Sequence, residues 1–498
     1  MATTELEYMR LPKYRRIGHS FAKFFKSIPS GLVALFFAIG RFFRGLGTKI
    51  VDVFRDIVLT WKNGDYKTRV SYFLFGFGNI ARGQILRGVL FMLLEVVFIV
   101  YMVIIGGPSL YKLDTLGTKV TWTDDWGVEH VGDNSFRILL YGVLSLFFIA
   151  AIIYTWYVNI KQNKIAQEIL ATGKPLKSGK QDLQSLVDDQ FHKTLLSLPL
   201  LGILIFTVLP IFFMILIAFT NYDGQHLAPK NLFTWVGGSN FAEVFNFGGS
   251  KFASTFGEIL VWTLVWAFFA TFTNYFLGMV VAMIINKKGI KLKKLWRTIL
   301  VVSIAIPQFI SLLYVGKMFS DTGFVNGILT QMGVLKNGET LPFWKDPMWA
   351  RITIIIVNIW VGIPYLMLIT SGILMNIPQD LYESAKIDGA SPWKMYIKIT
   401  LPYMLFVTGP YLLSSFIGNM NNFNVIFLVN GGEPSDIALE GGAGHSDLLI
   451  TWLYKLTVNQ NNYKMASVIG ILVFVVVAFI SVVVYNLIPS MKNEEDFQ

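Results

Sequence analysis

The stretch Leu381-Tyr-Glu-Ser-Ala-Lys-Ile-Asp-Gly-Ala-Ser-Pro-Trp-Lys-Met-Tyr-Ile-Lys-Ile-Thr-Leu-Pro402 is a polar island between two long apolar runs. Pro378, just before it, favours the first turn of a helix. Gly389 favours a helix stop, because glycine accepts the left-handed conformation, and Ser391 with Pro392 favours a new helix start. The stretch therefore predicts helix, tight turn and helix at a membrane surface. An ordinary amphipathic loop is the alternative on these features alone.

The composition is that of a membrane protein. Of 498 residues, 54% are hydrophobic and 15% are charged, whereas soluble domains average about 45–50% apolar and about 25% charged residues. The chain has no cysteine, which excludes disulfides, thiol catalysis and cysteine metal sites. The apolar excess lies in runs long enough to cross a bilayer. We therefore predict an all-α polytopic membrane protein.

About eight transmembrane helices are expected from the lengths of these apolar runs. The runs are Ile85–Ile105, Phe136–Val158, Leu195–Phe219, Phe256–Ile285, Thr298–Phe319, Ile352–Leu374, Met404–Leu428 and Met465–Ile488.

The positive charge predicts the orientation, because Lys and Arg accumulate on the cytoplasmic side. If the N-terminus is inside, the inner segments carry 30 of the 42 Lys and Arg residues and the outer segments carry 9. The inner segments are then 1–84, 159–194, 286–297, 375–403 and 489–498. Both termini are predicted to be cytoplasmic in the cell membrane. Topology explains the net charge of +11, and no nucleic-acid partner is needed.

The chain divides into four predicted regions. Residues 1–84 are basic and aromatic, which favours helices on the inner membrane surface; a short extra span at Ile28–Phe43 is the alternative. Residues 85–194 hold two additional spans and a cytoplasmic linker. Residues 195–490 form a six-helix core with the loop 378–402, and residues 491–498 form a tail.

The polar island carries a motif. Glu383, Ala385 and Gly389, followed by Ile399-x-Leu401-Pro402, match the EAA loop of ABC importer permeases in order and spacing. Ser384 departs from the pattern, where a second Ala is usual. The chain thus resembles this family, which implies the type I ABC importer permease fold and a loop that docks on a partner ATPase. The residues implied in this coupling are Glu383, Ser384, Ala385, Asp388, Gly389 and Pro402.

Polar side chains inside two predicted spans form stripes at helical spacing. Asn358, Gly362 and Tyr365 fall at i, i+4 and i+7 in the sixth run. The seventh run repeats this spacing with Ser415, Asn419 and Asn422, and Asn421 stands beside the stripe. Neutral amides match sugar hydroxyls and aromatic faces match the apolar side of a pyranose ring, so a sugar site is one interpretation. Hydrogen bonding between helices is the other.

The sixth-run motif Asn358-x-Trp360-x-Gly362-x-Pro364-Tyr365 resembles that of the larger permease subunit of maltose/maltodextrin transporters. The resemblance covers about residues 195–490 and implies sugar contacts. The implied substrate-binding residues are Asn358, Trp360, Val361, Gly362, Tyr365, Ser415, Asn419, Asn421 and Asn422. The chain departs at Ile304, where the family has a sugar-contacting Tyr, and in its short 220–255 segment, where some relatives insert a folded domain.

The resemblance also implies partners: a second permease subunit, an ATPase dimer, an extracellular solute-binding protein and an oligosaccharide substrate. No Gly-x-x-x-x-Gly-Lys-Ser/Thr phosphate loop occurs, so ATP and Mg²⁺ are expected on the partner ATPase. No catalytic residue, metal site or cofactor is expected in this chain.

An ABC permease for another sugar class is the nearer alternative. An ion-coupled secondary transporter is a rival, but it would use several ionisable residues at mid-membrane, and Glu95 in the first run stands almost alone. A scaffolding membrane protein would leave the polar stripes unused.

Overall fold

A computed structural model describes residues 37, 40–41, 44–45, 47–287 and 289–487. The surface helices predicted within residues 1–36, nearly all of the alternative span Ile28–Phe43, the end of the eighth run at Ile488 and the tail 491–498 lie outside the described residues.

The named secondary-structure elements of the described residues are helices, apart from one small hairpin. Residues 47–63 are helical. The later elements are α1 (Tyr66–Val70), α2 (Phe77–Ile80), α3 (Ile85–Tyr101), α4 (Gly107–Tyr111), β1 (Trp122–Thr123), β2 (Glu129–His130), α5 (Ser135–Ala171), α6 (Gly179–Val187), α7 (Phe191–Ile203), α8 (Leu209–Ile217), α9 (Ser239–Phe245), α10 (Lys251–Asn286), α11 (Lys293–Ala305), α12 (Gln308–Met318), α13 (Phe324–Gln331), α14 (Pro347–Leu374), α15 (Gln379–Ile387), α16 (Pro392–Met395), α17 (Leu401–Met420), α18 (Phe423–Val429), α19 (Leu449–Val458) and α20 (Tyr463–Leu487). Wider π-helical turns at Met102–Gly106, Leu204–Val208 and Tyr396–Thr400 join consecutive helices.

Seven stretches of the described chain are long and apolar enough to cross a membrane, and one bent helix pair brings the number to eight. The stretches are Ile85–Tyr111, Ser135–Ala171, Phe191–Ile217, Lys251–Asn286, Pro347–Leu374, Pro392–Met420 and Tyr463–Tyr485. The predicted fold class, an all-α polytopic membrane protein with about eight spans, is confirmed.

The fifth predicted run, Thr298–Phe319, is a broken helix. Helices α11 and α12 meet at an angle of 92°. The break falls at Ile306 and Pro307, whose backbones are extended. Proline lacks the N–H that a continuing helix needs, and it disfavours the helical conformation in the residue before it. The sequence shows the proline, but the size of the bend comes only from the structure.

The described residues form two compact units. One contains the described residues before Ser109 together with Tyr141–Leu204. This unit contains a deeply buried arginine, Arg82, whose side chain is 1% exposed. The guanidinium donates to Asp65 Oδ1 at 2.5 Å, to Thr68 Oγ1 at 2.7 Å and to Asn163 Oδ1 at 2.7 Å. A charge this deeply buried is stable only when it is paired and hydrogen-bonded.

Buried amides extend the network around Arg82. Asn163 donates to Asn79 Oδ1 at 2.9 Å, and Asn79 donates to Gln84 at 2.9 Å. Asn159 accepts from the Gly76 N–H and donates to the Ser71 carbonyl. These contacts tie α5 to the turns that precede α3.

Glu95 also has a defined place in this unit. Its Oε2 accepts a hydrogen bond from the Phe75 backbone N–H at 2.8 Å. The lone carboxylate of the first span therefore satisfies a backbone donor within its own unit.

The second unit comprises Ser109–Leu140 and the described residues from Ile205 onward. Helix α10 lies at its centre and packs along α14 and α17. A Cβ added to Gly278 of α10 would lie 2.7 Å from Leu366 Cβ, so this glycine permits close approach of α10 and α14. Trp266 and Tyr275 of α10 are fully buried.

In the second unit, the loop before α19 makes polar contacts with residues near the N-terminal ends of α10 and α14. His445 Nδ1 lies 2.7 Å from Glu258 Oε1, and Arg351 Nη2 lies 3.0 Å from the same oxygen. Asp447 is buried beside Lys455, with its Oδ2 2.6 Å from Nζ. Burial raises the pKa of Asp447, although the Lys455 ammonium opposes the shift.

Candidate functional site

The stripe on α14 runs from a buried end to an open end. Asn358 is 5% exposed, whereas Tyr365 is 52% exposed. Gly362 lies between them and is partly exposed. Trp360 points to the open side at 50% exposure, and Val361 packs against the apolar cluster around Trp262. The face of α14 thus passes from the contact with α10 into open space.

Two amides at this contact have unsatisfied atoms. Nδ2 of Asn358 and Oδ1 of Asn274 are buried without a hydrogen-bond partner among the described residues. A Cβ added to Gly362 would lie 2.2 Å from Asn274 Nδ2, so the Asn274 amide lies directly against the glycine. A buried unpaired polar group costs about 1–3 kcal/mol. One unpaired atom is a donor and the other an acceptor, and a hydroxyl group can satisfy either.

Helix α17 brings its polar residues to the same helices. Ser415 is partly exposed and lies one turn after Tyr411 on this helix. Asn419 donates to Thr271 Oγ1 of α10 at 3.0 Å, and its carbonyl accepts from Trp266 Nε1 at 3.0 Å. The structure therefore places predicted residues of the sixth and seventh runs in one unit, around α10.

The predicted stripe through Asn422 is wrong, because α17 ends at Met420. Asn422 is the N-cap of α18, where its side chain accepts from the Val425 N–H at 3.2 Å. Asn421 lies at the break, is exposed, and donates to the Ile417 carbonyl at 3.3 Å. Short amide side chains bond nearby backbone and therefore favour caps over helix interiors. The run Met404–Leu428 is consequently two helices.

The predicted helix, turn and helix at 378–402 is confirmed in outline. Helix α15 begins at Gln379, so Pro378 precedes the first turn instead of lying in it. Gly389 has φ +72°, the left-handed conformation expected for a helix stop. Ser391 caps α16 by accepting from the Lys394 N–H at 3.3 Å, and Pro392 is its first residue.

Helix α16 runs through a π-helical turn into α17, so the second helix of the motif is the start of a span. The hydroxyls of Tyr382 and Thr400 lie 2.9 Å apart and join α15 to the base of this span. A displacement of α15 is thereby linked to α17 by covalent continuity and by this side-chain bond.

The motif residues lie on an open surface. Glu383, Ser384, Asp388, Gly389 and Pro402 are exposed, and Ala385 is partly exposed. Large apolar side chains share the surface, with Ile387 87% exposed and Trp393 69% exposed. An apolar patch bordered by charged residues is typical of a protein-binding surface.

Comparison with known proteins identifies the family. Residues 274–493 match the family described as binding-protein-dependent transport system inner membrane component. The maltodextrin transport system permease protein MalC of Streptococcus pneumoniae serotype 4 (strain ATCC BAA-334 / TIGR4) is 34% identical over 84% of this chain and 95% of its own length. The chain belongs to this family. It is an ABC importer permease, as the motif at 381–402 predicted, and a multi-pass membrane protein.

Other relatives of the permease are named for the transport of different sugars. The galactooligosaccharides transport system permease protein GanP of Bacillus subtilis (strain 168) is also 34% identical, over 84% of this chain and 96% of its own. MalF, the maltose/maltodextrin transport system permease protein of Escherichia coli (strain K12), is 34% identical over 53% of this chain and 51% of its own. The predicted resemblance to maltose/maltodextrin permeases is confirmed.

The polar stripes predicted from the sequence lie on the sixth and seventh runs and do not include residues of α10. Thr271 and Asn274 stand one turn apart on this helix; Thr271 bonds to Asn419 of α17 and Asn274 lies against Gly362 of α14. These two polar residues at i and i+3 in a mainly apolar run were the available signal. The aromatic residues of α10 have packing roles: Trp266 bonds to Asn419, and Tyr275 accepts from Thr408 at 2.8 Å.

Proposed function

We propose that this permease moves a maltodextrin-like oligosaccharide into the cell as one subunit of an ATP-driven importer. The observation that carries the proposal is the pair of unsatisfied amides at the contact of α10 and α14, beside the half-exposed Tyr365. Residues 262–282, 354–374 and 404–420 contain no charged side chain. A neutral site of this kind suits hydroxyl groups better than it suits an ion.

In this proposal the sugar lies near mid-membrane. The predicted contacts Asn358, Gly362, Tyr365, Ser415 and Asn419 take part, with Trp360 and Val361 on the same helix. Asn421 and Asn422 would lie at one end of the sugar site, in the break between α17 and α18. The predicted core region, residues 195–490, contains all of these positions.

The segment 378–402 is proposed to dock on the partner ATPase subunit, which binds ATP and Mg²⁺ and hydrolyses the nucleotide. The exposed motif residues and the exposed Ile387 and Trp393 support this assignment. Closure of an ATPase dimer would move α15 and, through the joined α16 and α17, shift the helices of the site between two states. A second permease subunit and an extracellular binding protein complete the proposed assembly.

Both termini are proposed to be cytoplasmic, which places the motif on the same side as the ATPase. The charge bias of 30 to 9 supports this orientation. Single cysteines introduced into the cysteine-free chain test it: an impermeant reagent should label Asp125→Cys and Glu433→Cys in whole cells and not Lys293→Cys. External labelling of Lys293→Cys would reverse the orientation.

A galactooligosaccharide is the second candidate substrate, since the GanP relative is as similar as the MalC relative. Uptake by the assembled transporter in proteoliposomes separates the two. With ATP inside, linear α-glucan oligomers should accumulate and β-galactosyl oligomers should not. The reverse result would overturn the maltodextrin proposal, and uptake driven by an ion gradient without ATP would overturn the importer mechanism.

Coupling is tested by Gly389→Val. A Cβ at Gly389 meets nothing within 4 Å, so the change strains the φ of +72° without a steric clash. Gly333 offers a matched control, because it has φ +76° and equally open surroundings outside the coupling segment. Gly389→Val should abolish uptake while Gly333→Val, with a similar backbone strain of about 1 kcal/mol or more, retains it. Equal uptake by the two variants would remove the coupling role.

A further inference from the structure

The imidazole of His445 has a carboxylate beside each of its two ring nitrogens. Nδ1 lies 2.7 Å from Glu258 Oε1 of α10, and Nε2 lies 3.1 Å from Asp436 Oδ2 of the loop before α19. The His445 side chain is 19% exposed, so the ring is largely shielded from water. Two ring nitrogens can both donate to carboxylate oxygens only when both carry a hydrogen, which is the imidazolium form.

Two other described histidines have one such contact each. His226 Nδ1 lies 2.7 Å from Asp223 Oδ1, and His130 Nε2 lies 3.0 Å from Asp124 Oδ2. A neutral imidazole keeps one N–H, which can satisfy a single carboxylate. Loss of a proton therefore leaves the carboxylate contacts of His130 and His226 possible. At His445 it must break one contact, because a ring lone pair then faces a carboxylate.

The other charged groups around the ring come from α14 and α19. Arg351 of α14 donates to Glu258 Oε1 at 3.0 Å and to the His445 carbonyl at 2.8 Å. Asp447, just before α19, bonds to Lys455 and to a backbone N–H instead of to the ring. Because an arginine side chain stays positive throughout the physiological pH range, Glu258 keeps a cation beside it when the imidazole is neutral.

Asp436 has no second cation beside it among the described residues. Its other side-chain hydrogen bond comes from the Ala438 N–H, to Oδ1 at 2.9 Å. This bond and the one from His445 hold the pKa of Asp436 below its ordinary 3.8, so the carboxylate stays ionised over the range of about pH 5 to 8 in which histidines titrate. The contact between Nε2 and Asp436 is therefore the one that breaks when the imidazole loses its proton.

We propose that the contact between His445 and Asp436 is a proton-operated latch for the segment 433–440. With the imidazole protonated, the latch fastens the segment to His445, which Glu258 and Arg351 hold at the ends of α10 and α14. With the imidazole neutral, the latch opens and releases the segment, whose Ile437 is 97% exposed. In the proposed orientation of the permease this loop is outside, so the external pH operates the latch. The proposal is independent of the sugar that the permease carries.

Hydrogen exchange of the purified full chain, read by mass spectrometry of peptides that cover 433–440, tests the latch. The amides of Ala438, Leu439 and Glu440 are hydrogen-bonded and report on this segment. Dividing each observed rate by the intrinsic rate at the same pH leaves only the change in protection. A partly exposed ion pair is worth about two- to fivefold in an equilibrium constant. Protection of the segment should therefore fall about two- to fivefold between about pH 5 and 8.

His226→Gln is the matched control, because His226 has a single carboxylate contact. Its segment 433–440 should show the same fall in protection as the unchanged chain. Constant protection of the segment in the unchanged chain across this pH range would overturn the proposal.

Two substitutions separate the latch from a general loosening of the loop. His445→Asn keeps an amide donor near the Nδ1 position and removes the group that reaches Asp436, so protection should be low at both ends of the pH range. Asp436→Asn offers an N–H to the lone pair of the neutral imidazole, so protection should not fall as the pH rises. Asp436 is 43% exposed, so this variant tests the latch even if His445→Asn does not fold. A fall of the original size in Asp436→Asn would assign the titration to another group and overturn the latch.

Discussion

Two buried polar clusters in this permease differ in how completely their hydrogen bonds are made. In the first unit, the side chains of Asn79, Asn159 and Asn163 are fully buried and each makes hydrogen bonds on both its oxygen and its nitrogen. In the second unit, Asn274 and Asn358 are nearly as buried, yet one amide atom of each has no partner.

Under the proposed function, the difference separates a structural network from a substrate-binding cluster. Amides that bond to each other hold one arrangement, since any displacement breaks several bonds at once. Amides that keep a free donor or acceptor forgo about 1–3 kcal/mol each in the empty state. In the proposed function, a sugar hydroxyl that reaches these atoms during transport would recover that free energy. We therefore expect the same kind of substitution to change folding in one cluster and transport in the other.

The largest expected effect is on folding in the first unit. Arg82→Leu removes the hydrogen bonds to Asp65, Thr68 and Asn163 together, and each buried partner left unpaired costs about 1–3 kcal/mol. The melting temperature of the purified chain should fall sharply. Arg69→Leu is the control, because Arg69 makes only exposed hydrogen bonds to the carbonyls of Trp61 and Lys62. Similar melting temperatures for the two variants would mean that the network does not stabilise the unit.

The next largest effect combines packing and transport at the second cluster. Gly362→Ala places a Cβ about 2.2 Å from Asn274 Nδ2, and overpacking of this kind costs about 1–3 kcal/mol. The variant should melt earlier and transport less. Adding Asn274→Ala removes the clashing amide and should restore stability.

The double variant also separates packing from binding. If Asn274 only packs against Gly362, uptake should return together with stability. If its amide also meets the sugar, stability should return while uptake stays low. A double variant as unstable as Gly362→Ala would contradict the close contact between α10 and α14.

The sharpest comparison uses one substitution in both clusters. Asn358→Ala removes no hydrogen bond made within the described residues, so the melting temperature should change little. Sugar transport should fall, because a lost hydroxyl partner of about 1–3 kcal/mol weakens binding about 5- to 150-fold. Asn163→Ala should do the opposite: it unpairs Arg82 and Asn79 and should lower the melting temperature first.

Glu95→Gln is the control for the rival mechanism in the same uptake assay. The amide keeps an oxygen to accept from Phe75 N–H, so transport should persist. Abolished uptake in Glu95→Gln, together with normal uptake in Asn358→Ala, would favour a proton-coupled transporter over the sugar site at α14.

The smallest expected effect is the pH dependence of the first cluster. Burial alone would raise the pKa of Asp65, but hydrogen bonds from Thr68 and the charge of Arg82 outweigh it and lower the pKa below its usual 3.8. The folded-state pKa is thus below the unfolded one. This contribution to stability is present above pH 4 or so and is lost as the pH falls through the folded-state pKa. Melting curves between pH 3 and 6 should show a smaller loss on acidification for Asp65→Asn than for the unchanged chain.

Local sequence features predicted much of this protein. Long apolar runs predicted the spans, because backbone groups in lipid must bond within their own helix. Gly389 and Ser391 predicted a turn and a cap, since both depend on a single residue's conformation or short-range bonds. The motif at 381–402 predicted the family. Two departures were also local in origin: Pro307 bends the fifth run by 92°, and Asn422 caps α18 instead of continuing the predicted stripe.

The sequence by itself determined most of the helical segments, the shared face of Asn358, Gly362 and Tyr365 on α14, and the turn at Gly389, because helical spacing and turn residues act within a few positions along the chain. Only the tertiary structure decided which polar side chains are satisfied. That outcome depends on how closely α10 approaches α14, and the approach is permitted by two glycines, Gly278 and Gly362, on different helices. Asn358 and Asn163 look alike in the sequence, and the neighbours supplied by other helices give one a complete set of bonds and the other an unpaired nitrogen.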